Sequence, residues 1–142
     1  MTYIQIMEDS SRRKFLQNAG LASLVSISPL DAAPERTKEV FIHHVLFYLK
    51  DPNNAQDEAK LLEGLKKLAK VPQIKYVNIG KPAPTDRSVI VKDYTFSWMC
   101  FFDNIIEEEL YQTHPIHDEF RNNYAHLWEK VVIYDSVGPK KV

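Results

Sequence analysis

At 142 residues the chain is long enough for one domain with a single core and too short for two ordinary ones. Lysine plus arginine number 18 against 19 acids, a net charge of −1, which excludes the basic footprint of a nucleic-acid binder or of a protein held on an anionic membrane. The single cysteine, Cys100, excludes an intramolecular disulfide, and its flanks Trp98-Met99 and Phe101-Phe102 mark it as a small core residue rather than a nucleophile.

The N-terminal segment differs from the rest. Arg12-Arg13-Lys14-Phe15-Leu16 is followed by an uncharged, moderately apolar run over residues 19–27, then Pro29 and the small pair Ala32-Ala33. The run is too short to span a bilayer, which takes about 20 residues. A basic stretch, a short apolar stretch and small residues make a secretory-signal pattern, and the arginine pair before Phe15-Leu16 resembles a twin-arginine signal. The expectation is a signal peptide over residues 1–33, a linker over 34–39, a domain over 40–138 and a tail over 139–142. The protein is then exported to the bacterial periplasm, with no stable membrane insertion after processing. Leu30 or Asp31 at position −3 suits cleavage poorly, so an uncleaved membrane anchor is the alternative, as is an N-terminal helix docked on the domain. Met7 is a second candidate start.

Residues 40–50, rich in β-branched and aromatic side chains and ended by Asp51-Pro52-Asn53-Asn54, predict a first strand. Between residues 56 and 70, Leu61, Leu62, Leu65, Leu68 and Ala69 follow the helical period. Asp57 and Glu58 in the first turn and Lys66, Lys67 and Lys70 in the last complement the helix dipole. Pro72 stops this helix, residues 74–79 predict a short strand ended by Gly80, and the proline-rich residues 81–87 predict a loop, a candidate lid. Residues 94–102 are the clearest strand, with Phe96, Trp98, Cys100 and Phe102 on one face and Thr95, Ser97, Met99 and Phe101 on the other. A short helix is expected over residues 107–112 and another from Pro115 to about Glu129, with Ile116, Phe120, Tyr124 and Leu127 inward. A last strand is expected over residues 131–134. No repeat or glycine-rich phosphate loop occurs, and no cofactor is expected.

The order strand, helix, strand, strand, helix, strand is the ferredoxin-like arrangement, an α+β fold with a four-stranded antiparallel sheet and both helices on one face. The other face is left apolar, which implies a partner, and two such sheets facing each other make a barrel.

Chemistry concentrates in Tyr111-x-x-His114-Pro115-x-His117, which gathers a phenol and two imidazoles beside a proline that forces a turn. Such side chains donate or accept protons near neutral pH. His117 falls in the first turn of the helix begun by Pro115, where the positive end of the dipole disfavours imidazolium. His43 alternates with Phe41, Val45 and Phe47, so it belongs to an otherwise apolar face.

Together with His43-His44-Val45-Leu46-Phe47, Val71-Pro72, Tyr94-Thr95 and Trp128-Glu129-Lys130, the tyrosine-histidine box resembles the stress-responsive dimeric α/β-barrel (Dabb) family over residues 40–136. The resemblance implies a homodimer whose sheets form a barrel, and it places His43 on the barrel side. Most bacterial members are uncharacterised, while a plant polyketide cyclase of the same fold catalyses an intramolecular aldol condensation. By that likeness Tyr111 and His117 are the candidate catalytic pair, and His43 orients the substrate. Phe96 stands where the cyclase has a pocket histidine, which makes this cavity more apolar and argues against the same substrate.

The candidate site is therefore Tyr111, His117 and His43 as catalytic groups, with Phe96, Phe41, Val45 and His114 as substrate-binding walls. His114 also reads as a structural residue pinned by Pro115. Two functions follow: a cofactor-independent cyclase- or lyase-type enzyme on a small carbonyl compound, or a non-catalytic protein that binds a small apolar ligand or serves as a dimeric assembly domain. A metal centre is the rival chemistry, since His43, His114 and His117 offer three nitrogen ligands, but the spacing matches no zinc pattern and no metal is expected. Haem degradation, known in other dimeric α/β barrels, has no sequence feature in its favour.

Overall fold

The computed structural model describes residues 39–140. The expected signal peptide and almost all of the linker lie outside the described residues. The elements are β1 (Glu39–Leu49), α1 (Ala55–Leu68), β2 (Tyr76–Gly80), β3 (Phe96–Phe102), α2 (Ile105–Gln112), α3 (Pro115–Tyr124) and β4 (Trp128–Pro139), with a single 3-10 turn at Ala125–Leu127 before β4. Among the described residues no helix is long and apolar enough to cross a membrane.

The strands form one sheet in the order β2-β3-β1-β4, every neighbouring pair antiparallel. This is the expected ferredoxin-like α+β fold. Strand parity fixes its two faces. Phe41, His43, Val45 and Phe47 of β1 sit opposite Phe102, Cys100, Trp98 and Phe96 of β3, and this face packs on Leu61, Leu65 and Leu68 of α1, Tyr111 of α2 and Phe120 of α3. The other face carries His44, Met99, Phe101, Tyr76 and Tyr134, none of them fully buried.

Local chemistry sets the helix starts. The Asn54 side chain accepts from the backbone N–H groups of Gln56 and Asp57 at 3.0 and 3.1 Å, and Asn104 accepts from Glu107 N–H at 3.0 Å, each satisfying donors that a helix N-terminus leaves free. The Asn104 cap starts α2 two residues before the expected position. Gly64, buried on α1, lets α1 approach α3: a Cβ there would lie 2.8 Å from the Tyr124 ring.

The C-terminal region departs from expectation. The helix begun at Pro115 ends at Tyr124 rather than near Glu129, and β4 spans Trp128–Pro139 rather than residues 131–134. The cause is β1, a central strand whose backbone groups need partners along its whole length. β4 supplies them from Trp128 opposite Leu49 to Pro139 opposite Glu39. Trp128 enters the sheet with its indole against Phe47 and Phe120, ring centres 5.1 and 5.6 Å away.

Candidate functional site

The box folds as two helices meeting at a break. Tyr111 lies in the last turn of α2 and His117 in the first turn of α3, with Thr113 and His114 between the helices. Pro115 takes the first helical position, where no donor is needed. The His114 ring caps α3, its Nδ1 accepting from Ile116 N–H at 3.1 Å. The break brings the Tyr111 and His117 rings edge to face at 4.7 Å. Tyr111 also packs on Phe102 at 5.1 Å and on His43 at 5.8 Å.

His43 faces the helices, not the open side of the sheet where the resemblance had placed it. The register pairs it with Cys100 on one side and Asp135 on the other. Its Nδ1 donates to the Asp135 carboxylate at 2.7 Å, which fixes the ring and the position of one proton. The partner lies on another strand, so nothing in the sequence around His43 pointed to Asp135.

Burial sets the electrostatics. Tyr111 is 1% exposed, and removal from water raises its pKa well above the usual phenol value, so it stays protonated. His117 is lowered to about 4, first by burial and then by the Arg121 guanidinium and His43, with Asp118 and the Gln112 backbone pulling weakly the other way. The ring is therefore neutral at pH 7, in the direction expected from the helix dipole but with burial as the main cause. Its Nδ1 is buried without a hydrogen-bond partner. Burial also pushes the Cys100 thiol up to about 12, which leaves it inert.

A cavity of about 220 Å³ lies between the sheet and the α2–α3 break. His43, Val45, Tyr111 and His117 line it, along with Trp98, Gln112, Arg121 and Trp128. Phe41 and Phe96 are buried in the same core but do not line the cavity, and neither does His114. Residues 81–87, the candidate lid, contribute nothing to its walls. Phe47 was legible as a neighbour of His43 from strand parity, whereas parity showed only which face of β3 Trp98 occupies, and the β1–β3 register brings it to the cavity. Arg121 had a weaker signal, one turn beyond His117 on α3. Among the described residues no three His, Cys, Asp or Glu side chains converge as metal ligands.

Residues 41–137 match the model of the family described as Stress responsive A/B Barrel Domain. No curated protein matches the chain. Among solved structures, a Dabb family protein with a ferredoxin-like fold from Mesorhizobium loti is 22% identical, with a TM-score of 0.60 over 72% of this chain and 99% of its own. A dimeric ferredoxin-like protein of unknown function from Thermobifida fusca is 22% identical, with a TM-score of 0.56 over 69% of this chain and 90% of its own. The hydroxynitrile lyase from Passiflora edulis is 18% identical, with a TM-score of 0.59 over 74% of this chain and 98% of its own. These likenesses establish the fold.

Proposed function

The chain belongs to the stress-responsive A/B barrel (Dabb) family, and we propose that it is a cofactor-independent enzyme that moves a proton on a small carbonyl compound, with Tyr111 as donor and His117 as base. One observation carries this reading: a phenol that burial keeps protonated and an imidazole that burial keeps neutral meet at 4.7 Å on the wall of one cavity. Two titratable groups poised in opposite senses make an acid and a base.

In the reaction the Tyr111 hydroxyl donates a hydrogen bond to the carbonyl oxygen, and neutral His117 takes a proton from the adjacent carbon. The enolate oxygen is stabilised as charge develops on it. His43, held by Asp135, orients the substrate. The enolate then attacks a second carbonyl, as in a cyclase, or expels a leaving group, as in a lyase. The Passiflora edulis relative, a hydroxynitrile lyase by name, supports lyase-type chemistry on this fold.

The reading includes a homodimer. The Thermobifida fusca relative is described as dimeric, and the open sheet face carries Met99, Phe101, Tyr76 and Tyr134, none of them fully buried, the kind of apolar and aromatic face that marks a protein–protein contact. It also includes export, on the strength of Arg12-Arg13 and the apolar run after them. N-terminal sequencing of protein recovered from the periplasm tests this, with a start at Pro34 expected.

A second reading has the cavity hold a small apolar ligand without chemistry. Close packing of Tyr111 against Phe102, His43 and His117 favours it, since those contacts also serve stability. Deuterium exchange in heavy water separates the two, using single-ring aldehydes and ketones with an exchangeable hydrogen beside the carbonyl. The enzyme incorporates deuterium and His117→Ala does not; no incorporation by the unaltered protein supports the binding reading.

A further inference from the structure

One polar group in the cavity has no task in the mechanism above. Trp98 sits in the middle of β3 opposite Val45, is 0% exposed, and lines the cavity with Tyr111 and His117. Its indole Nε1–H has no hydrogen-bond partner. An indole nitrogen can only donate, and when buried it usually finds an acceptor; a donor left unmet in the interior is costly. Among the described residues the buried side-chain atoms without partners are Gln73 Oε1, Trp98 Nε1 and His117 Nδ1. The last two belong to the walls of one cavity.

The position of the indole narrows its purpose. The indole N–H is near enough to the Tyr111 hydroxyl and the Cys100 thiol to act as a donor that favours the ionised form of each, although burial outweighs that influence; neither approach reaches full hydrogen-bond geometry, so the donor stays open to a ligand. The N–H is thus a second donor beside the Tyr111 hydroxyl. A carbonyl oxygen has two lone pairs and can accept from both.

We infer that Trp98 is a substrate-binding donor whose indole N–H joins the Tyr111 hydroxyl on the ligand's carbonyl oxygen, so that the site selects a carbonyl compound over a hydrocarbon of the same shape. This rests on the reading of the cavity as a ligand site. The volume sets the ligand's size. An apolar cavity of about 150 Å³ holds benzene, so one of about 220 Å³ holds a single ring, or an aliphatic body of that bulk, carrying a short carbonyl substituent. Val45, Phe47 and Trp128 supply apolar walls for that body.

The test measures binding of acetophenone and of α-methylstyrene, which has a methylene in place of the carbonyl oxygen, to the unaltered protein and to Trp98→Phe. The variant keeps an aromatic ring and removes the donor. Acetophenone should bind about five- to tenfold more weakly to Trp98→Phe, in line with the loss of one hydrogen bond, while α-methylstyrene should change less than about twofold. An equal change for both ligands makes Trp98 a wall only and overturns the inference while leaving the cavity reading in place. Failure of both ligands to bind the unaltered protein overturns the cavity reading and the inference with it. A second measurement needs no variant: the indole N–H resonance of Trp98 should move on addition of acetophenone and not of α-methylstyrene. A resonance that ignores acetophenone at saturation overturns the inference.

Discussion

Tyr111 lies in the last turn of α2 and His117 in the first turn of α3, and their rings meet edge to face at 4.7 Å across the break. The box therefore builds a donor and a base side by side from a short stretch of chain. The proline between them keeps the helix from continuing and carrying the two residues to different faces.

Tyr111→Phe separates chemistry from packing. The ring keeps its contacts with Phe102, His43 and His117, so the unfolding free energy should change by no more than about 1 kcal/mol. Deuterium exchange should fall by about 10²-fold or more. A variant as active as the parent removes Tyr111 from the reaction.

His117 links stability to pH. Its folded pKa of about 4 lies below the unfolded value of 6.5, so the unfolded chain binds the extra proton first as pH falls. The contribution is fully present above pH 6.5, is lost between there and about pH 4, and changes no further below that. The loss amounts to about 3 kcal/mol at most. Urea titrations at pH 7 and pH 4.5 should show a smaller difference for His117→Gln than for the parent.

Asp135→Asn keeps the shape beside His43 but removes the carboxylate that fixes its ring. The aspartate side chain is 46% exposed, so stability should change by less than about 1 kcal/mol. Exchange activity should fall by about tenfold, reflecting a misoriented substrate rather than a lost acid or base. Unchanged kinetics would make the His43–Asp135 pair purely structural.

Much of this was legible in the sequence because local rules sufficed. Periodicity located α1, alternation located β1 and the two faces of β3, and Pro115 located the break that joins Tyr111 to His117. What escaped depended on pairing over long separations. β4 takes its length from β1, so Trp128 became a strand residue although its local pattern continued a helix. Asp135 meets His43 only through the β1–β4 register, and Trp98 joins the cavity only because β3 lies against β1. His114 was drawn toward the site by its neighbours in the box, but its ring is used to cap α3.

Gly64→Ala tests the close approach of α1 and α3. Alanine favours the helix by about 1 kcal/mol, yet the added carbon meets the Tyr124 ring at 2.8 Å. That ring also stacks on Phe120, so relief disturbs the core. The net result should be a loss of about 1–2 kcal/mol in urea denaturation; a gain in stability would mean that Tyr124 moves freely.

Phe101→Glu places a charge on the open sheet face, where Phe101 packs edge to face with Tyr76 at 5.4 Å. If two sheets face each other in solution, the variant should sediment as a folded monomer while the parent sediments as a dimer. A parent that is monomeric at micromolar concentration removes the sheet-to-sheet interface.

The pH dependence of deuterium exchange tests the Tyr111–His117 pair most directly. With His117 as a base whose pKa is about 4, the rate should stay level from pH 8 down to about 5 and halve near 4, and His117→Ala should abolish the exchange. A rate that halves near the ordinary histidine value of about 6.5, or one that survives the loss of His117, contradicts the account.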